Sequence, residues 1–304
     1  MIDGALLLDK PVGVSSNATL QQAKKLLGAA KAGHAGTLDP LASGLLVALF
    51  GEATKFAGPL LDADKEYVAA LELGTRTSTA DAEGEVIERR PVSITPAALA
   101  AVLQRFRGEI EQVPPMHSAL KHKGRPLYRL ARRGEQVPRV ARRVRISCLE
   151  IVSFDVPLLR MRVVCSKGTY VRVLAEDIGT GLGCGAHLSA LRRTGSGRFR
   201  VENALTLDAL EALPIEERGR ALLALPALLQ GLPRAELGAA EEARLRQGQA
   251  LKIRGLERGL CALVRPDGGV IGLGTADGDG GLKPLRLTQT AEKHLKSAAH
   301  MKRE

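Results

Sequence analysis

Tryptophan is absent from this 304-residue sequence, and tyrosine occurs only at positions 67, 128 and 170. Aliphatic side chains must therefore fill the core, and each tyrosine marks a place where a planar group was put although few were available. Cysteine is nearly as sparse. Cys148, Cys165, Cys184 and Cys261 are widely spaced with no CxxC pair, which argues against a structural zinc site and fits reduced thiols in a reducing compartment. No run approaches the roughly 18 apolar residues of a membrane helix, and the opening MIDGALLLDKP has neither a basic leader nor a cleavage site. The expectation is a cytoplasmic chain with no membrane partner.

Several chemical signatures are missing too. There is no GxxxxGK[ST] loop, the glycines of GTGLGCG fall outside the GxGxxG register, no serine sits in a GxSxG elbow, and HExxH is absent. His187 lies near Cys184 at a spacing that can bind metal, but no second pair completes a tetrahedral site. Neither a cofactor nor a metal is expected.

What is abundant is positive charge, and it is concentrated. The chain carries a net +11, and Lys121 to Arg145 holds ten Lys or Arg against one acid, Glu135, so nine of the eleven charges fall in 25 residues. A run of this kind also suits a solvated face. Here Pro126, Leu127, Tyr128, Leu130, Val137 and Val140 interleave the basic residues, the pattern of a folded, hairpin-like arm able to hold a phosphate backbone.

The length suggests one large domain and a smaller one. GALLLDK reads as a buried strand and about 17–27 as a helix. LLVALF is a short interior strand, EATKFAGPLLDA is helical, and KEYVAALELG alternates like a strand. Thr95 caps a helix that starts at Pro96. Beyond the arm, RVRISCLEIVSFD and LRMRVVCSKG are strand-like, TYVRVLAEDIGTGLG is a helix, and LCALV, VIGLG and KPLRL form a small β module. The elements follow no regular βαβ repeat, so an α+β fold is expected, with a mixed, largely antiparallel central sheet flanked by helices. The domains are taken as 1–232 and 233–290, followed by a tail at 291–304.

The segment GHAGTLDPLASG, residues 33–44, raises a specific question. Asp39 before Pro40 is a helix-start signature, yet Gly44 and an apolar strand follow at once and leave room for barely one turn. The alternative is an acid held on a tight turn above an interior strand, facing a cleft. Arg172, at a helix start two residues after Tyr170, reads locally as a surface ion pair. Tyr67 and Tyr170 fill a core or stack on an unstacked base. Asp81 and Asp177 are available as a second carboxylate, but sequence alone does not place them.

Taken together, LLLDKPVGVSSN, AGHAGTLDPLASGLL, DKEYVA, PPMHSALKHKGRPLY, CSKGTYVR and LGCGAHLSALRRT resemble the bacterial TruB family of tRNA pseudouridine-55 synthases, in order from about residue 4 to residue 210. The resemblance implies a pseudouridine synthase fold with a PUA-like RNA-binding module after it. It also implies isomerisation of uridine 55 in the tRNA T-arm, by base flipping, N1–C1′ cleavage, base rotation and C5–C1′ bond formation. Asp39 would be the catalytic aspartate and Arg172 its pairing partner. Tyr67 would stack on the flipped base, with Tyr170 and Leu191 lining its pocket. His34 would belong to the same substrate-contacting loop, and Lys10 to a loop packed beneath it. Residues of about 115–145 would form a thumb-like insertion closing on the T stem-loop, with Lys121, Lys123, Arg125, Arg129, Arg132, Arg133, Arg142 and Arg143 on the RNA backbone. The expected partner is tRNA, and the chain is expected to be a monomer. A binder without chemistry and a nucleosidase that releases free base are the competing readings.

Overall fold

The structure is a computed structural model that describes residues 2–118, 120–131 and 133–289. The chain opens with β1 (Gly4–Lys10), α1 (Ser16–Leu26), β2 (Ala32–His34) and β3 (Ala42–Phe50). After a 3₁₀ turn at Gly51–Phe56 come α2 (Ala57–Asp62) and β4 (Lys65–Leu73), then the two-stranded hairpin of β5 (Thr75–Thr77) and β6 (Val86–Arg89). Next are α3 (Pro96–Gln104) and β7 (Gly108–Gln112), which leads into the basic arm. The arm contains β8 (Lys121–His122), β9 (Arg125–Pro126) and α4 (Leu127–Ala131). The chain then returns through β10 (Arg142–Asp155), β11 (Leu158–Cys165), α5 (Val171–Gly181), β12 (Ala186–Ser196) and β13 (Phe199–Arg200).

Nine of these strands make one sheet, in the order β1-β3-β12-β4-β11-β10-β7, with β2 on β3 and β13 on β12. Every pairing is antiparallel except β12 with β3, so the mixed, largely antiparallel sheet read from the sequence is present. β1 and β3 are continuous apolar runs because both their faces are covered. Leu6, Leu8, Leu46 and Phe50 pack with Leu20 and Ala23 of α1, while Leu7, Leu45, Val47 and Leu49 face Phe56 and Leu60. Farther along the sheet, Leu71, Leu159, Met161 and Val163 pack against Leu99 and Leu103 of α3 and Leu174 and Ile178 of α5.

A second sheet of five strands spans β14 (Arg234–Glu236), β15 (Leu251–Lys252), β16 (Gly259–Val264), β17 (Val270–Ala276) and β18 (Gly281–Leu287). Leu228, Leu229, Ala262 and Leu273 share an apolar cluster with the first sheet. Two polar contacts add to the joint: the Lys55 ammonium donates to the Leu287 carbonyl at 3.0 Å, and the Gln289 amide donates to Glu52 at 2.6 Å. Among the described residues no helix is long and apolar enough to cross a membrane.

The parallel β3–β12 contact sets the site. Gly44 has φ +98°, and a Cβ there would collide with the backbone of Arg193. Glycine thus meets both a left-handed conformation and a close approach of two strands. Gly44→Ala is expected to cost roughly 2 kcal/mol or more, read as a lowered denaturant midpoint at unchanged slope.

Candidate active site

Residues 35–41, between β2 and β3, form a turn without helix, so Asp39 caps nothing. Its own carbonyl accepts from the Ala42 amide at 3.0 Å. The rest of the turn is tied down almost residue by residue. Ser16, buried at the start of α1, donates to the Leu38 carbonyl at 2.8 Å and accepts from the Leu38 amide at 2.7 Å. Lys10 is wholly buried and donates to the carbonyls of Val14, Pro11 and Pro40 at 2.6, 2.8 and 3.5 Å. Arg193, also buried, donates to those of Leu45, Gly36 and Thr37 at 2.6, 3.1 and 3.5 Å. Burial pulls the Lys10 ammonium down to about 8, an effect that nearby Asp39 partly opposes.

Arg172 lies in the first turn of α5 and is 7% exposed, so it is not a surface ion pair. One terminal nitrogen is 2.9 Å from Asp39 Oδ2, and the other is 3.0 Å from Oδ2 of buried Asp81. The guanidinium also donates to the His117 carbonyl at 2.8 Å. Asp81 is itself held by Thr79 Oγ1 at 2.5 Å and the Glu83 amide at 3.1 Å. This buried carboxylate fixes the arginine from behind and leaves Asp39, with its side chain 47% exposed, at the mouth.

Two cavities meet at the Asp39–Arg172 pair. The first, of about 280 Å³, is lined by Tyr67, Tyr170, Leu191, Lys65 and Arg193 beside that pair; the second, of about 630 Å³, takes in Ser16, His34, Asp81, Glu83 and Tyr128. Burial raises the pKa of the Tyr67 and Tyr170 phenols and lowers that of His34, where Arg193 adds to the effect. The structure therefore brings Asp39, Arg172, Tyr67, Tyr170 and Leu191 around one cavity, puts His34 on the other, and places Lys10 beneath the turn and outside both. Gln112, which nothing in the sequence flagged, is buried at the end of β7. Its amide accepts from the Tyr170 N–H at 3.0 Å and donates to the Tyr170 carbonyl at 3.3 Å, holding that residue at the entry of α5.

Asp177 lines a separate cavity behind the arm with Glu111 and Arg139. His187 is a buried core residue whose Nδ1 lies 3.0 Å from the Thr75 carbonyl, to which it donates. Among the described residues no cluster of three or more His, Cys, Asp or Glu side chains is arranged to hold a metal.

The arm has a small core of Met116, Leu127 and Leu130, with Val137 packed against it, whereas Val140 is 81% exposed. Lys121, Lys123, Arg125, Arg129, Arg133, Arg142 and Arg143 are all exposed. The Arg143–Glu111 pair, at 3.9 Å between groups 80% and 68% exposed, leaves Arg143 essentially available. Arg132 lies outside the described residues, as does the tail at 291–304.

The TruB family pseudouridylate synthase pattern (N-terminal domain) matches residues 24–171, and patterns for the tRNA pseudouridylate synthase B C-terminal domain and the pseudouridine synthase II TruB C-terminus match 172–240 and 233–288. A relative from Ralstonia nicotianae, tRNA pseudouridine synthase B, is 54% identical over 295 residues, 94% of each chain. One of the same description from Burkholderia mallei is 53% identical over 296 residues, 95% of this chain and 98% of its own. Among solved structures, a Cbf5-Nop10-Gar1 complex superposes with a TM-score of 0.73 at 28% identity, covering 95% of this chain and 84% of the other. An H/ACA RNP bound to a substrate RNA containing 2′-deoxyuridine superposes with a TM-score of 0.72 at 26% identity, covering 94% and 85%. Fold and sequence together make this chain an enzyme, a pseudouridine synthase. It belongs to the TruB family.

Removing the rear carboxylate leaves a buried guanidinium with half its charge partners. Asp81→Asn is expected to cost about 3 kcal/mol and to slow pseudouridine formation. Thermal melts and single-turnover rates on the same preparation check both.

Proposed function

We propose that this chain converts uridine 55 in the T-arm of tRNA to pseudouridine. The observation that carries the reading is the Asp39 carboxylate, fixed at the mouth of a tyrosine-walled cavity and paired with a buried arginine. A uridine in a folded RNA loop must be extruded first, at roughly a few kcal/mol. Tyr67, Tyr170 and Leu191 offer the flipped base a planar and apolar seat that offsets this cost.

With the base seated, Asp39 faces the sugar. N1–C1′ cleavage leaves the bonding pair on N1 and builds positive character at C1′, which a fixed carboxylate relieves by bonding to it or by accepting a ribose proton. The freed base turns and C5 bonds to C1′ as the Asp39 carboxylate leaves C1′ or the ribose regains its proton; the proton on C5 is lost and N1 gains one, so atoms and charge balance. His34, on the second cavity, is suited to the nucleotides flanking the target.

The arm from about 115 to 145 supplies the backbone contacts, and residues 233–290 act as a PUA-like RNA-binding domain after a catalytic domain at 1–232. The name of the relatives, tRNA pseudouridine synthase B, supports tRNA as the substrate. One chain supplies every group of this scheme, in keeping with a monomer working in the cytoplasm. A binder without chemistry has no use for a carboxylate beside its polyanion, where like charge is unfavourable.

Asp39→Asn is expected to abolish pseudouridine formation while tRNA still binds; modification mapping that finds wild-type turnover would sink the assignment. A change in RNA mass, or released uracil, would point instead to a nucleosidase. Neutralising Arg129, Arg133, Arg142 and Arg143 together is expected to reduce the slope of log affinity against log salt by about 3 to 4, measured by titration at several ionic strengths.

A further inference from the structure

We propose that Lys65 and Arg193, buried in the wall of the base cavity, stabilise the negative charge that uracil takes on when its N1–C1′ bond breaks. The inference rests on reading that cavity as the seat of the flipped uridine.

The cavity is lined by four cations, Lys65, Lys167, Arg172 and Arg193, against one carboxylate, Asp39. Two of the four are accounted for. Arg172 is matched by Asp39 and Asp81, and Lys167 pairs with Asp62 at 2.8 Å on the surface, both groups more than 60% exposed. Lys65 and Arg193 are 7% and 1% exposed, and among the described residues neither makes an ion pair. Lys65 donates to the carbonyls of Ala63, Leu61 and Leu60 at 2.5, 2.6 and 3.2 Å, and Arg193 donates to the three carbonyls already described and to the neutral Tyr67 hydroxyl. Carbonyl dipoles solvate a cation but do not neutralise it. Asp62 and Asp64 act on Lys65 from nearby, yet burial, then the charge of Arg193, outweigh them and bring the ammonium down to about 8.

Two buried positive charges side by side without a counter-ion are costly, and the cavity they share is of a size to take one pyrimidine ring. Uracil arrives neutral. On cleavage the electron pair passes to N1 and spreads to O2 and O4, so an anion forms in a pocket already positive. An interaction weak in the ground state and strong as charge develops is one that accelerates the step. It serves equally whether Asp39 bonds to C1′ or takes a ribose proton.

Both side chains also have structural tasks. Arg193 ties the catalytic turn, and Lys65 caps the carbonyl end of α2. Lys65 is the cleaner probe, because its hydrogen bonds lie away from the turn. Lys65→Gln keeps amide donors for those carbonyls and removes the charge; Lys65→Met removes both and repeats the comparison should the amide disturb the fold; Lys65→Arg keeps the charge. Each is followed by melting temperature and by single-turnover loss of the parent nucleoside, on T-arm stem-loops carrying uridine or 5-fluorouridine at position 55. Ring fluorine acidifies the base, so its anion needs less help. Lys65→Gln is expected to lose ~100-fold on uridine and no more than ~10-fold on 5-fluorouridine, with Lys65→Arg recovering most of the loss. Equal losses on both RNAs overturn the proposal and leave Lys65 a helix cap. If the wild-type protein converts neither RNA, the functional reading itself fails, and this proposal with it.

Discussion

The guanidinium of Arg172 has two carboxylates and a carbonyl for company and almost no water, and the site is arranged around that fact. A buried charge is tolerated only when its partners are well placed. Here they come from three distant stretches of chain: Asp39 from the turn before β3, Asp81 from the β5–β6 hairpin, and the His117 carbonyl from the start of the arm. The hairpin is in turn fastened to β12, since the Ala82 amide donates to the Leu188 carbonyl and the Leu188 amide to that of Ala80. One arginine in the first turn of α5 thus draws sheet, hairpin and arm to a common point.

The turn itself is held differently. Its carbonyls are bound by buried cations on either side, Lys10 at Pro40 and Arg193 at Gly36 and Thr37, and by Ser16 at Leu38. Backbone groups buried in a turn need partners, and side chains supply them where no helix or sheet can. Asp39 is therefore aimed by its neighbours' main chain more than by its own contacts.

How much of this was legible beforehand depended on whether a signal was local. The strands β1, β3 and β4, the helix capped by Thr95 and the basic arm follow from periodicity, capping and charge. Asp39 stood out because Gly44 and an apolar strand left no room for the helix that Asp-Pro suggests. β12, inside the sheet between β3 and β4, carries no readable strand pattern. Irregular pairing between Leu188 and Ala190 and between Arg193 and Gly195 breaks its alternation, and its arginines look misplaced until their carbonyl partners are seen. Asp81 was visible only as an available carboxylate, and its bond to Arg172 spans 91 positions of chain. Gln112 carried no signal at all, because a glutamine clamping one main-chain residue leaves no pattern in sequence.

That clamp bears on how freely the parts can be exchanged. Among the described residues the C-terminal sheet meets the rest through an apolar patch and two hydrogen bonds, a joint that a different module of similar shape could occupy. The arm has no such seam. Gln112, at its root, grips Tyr170, and His117, five residues on, grips Arg172. The arm that we propose meets the RNA and the wall of the cavity beside Asp39 are one piece of main chain, so on that reading grafting or trimming the arm would alter the chemistry along with the affinity.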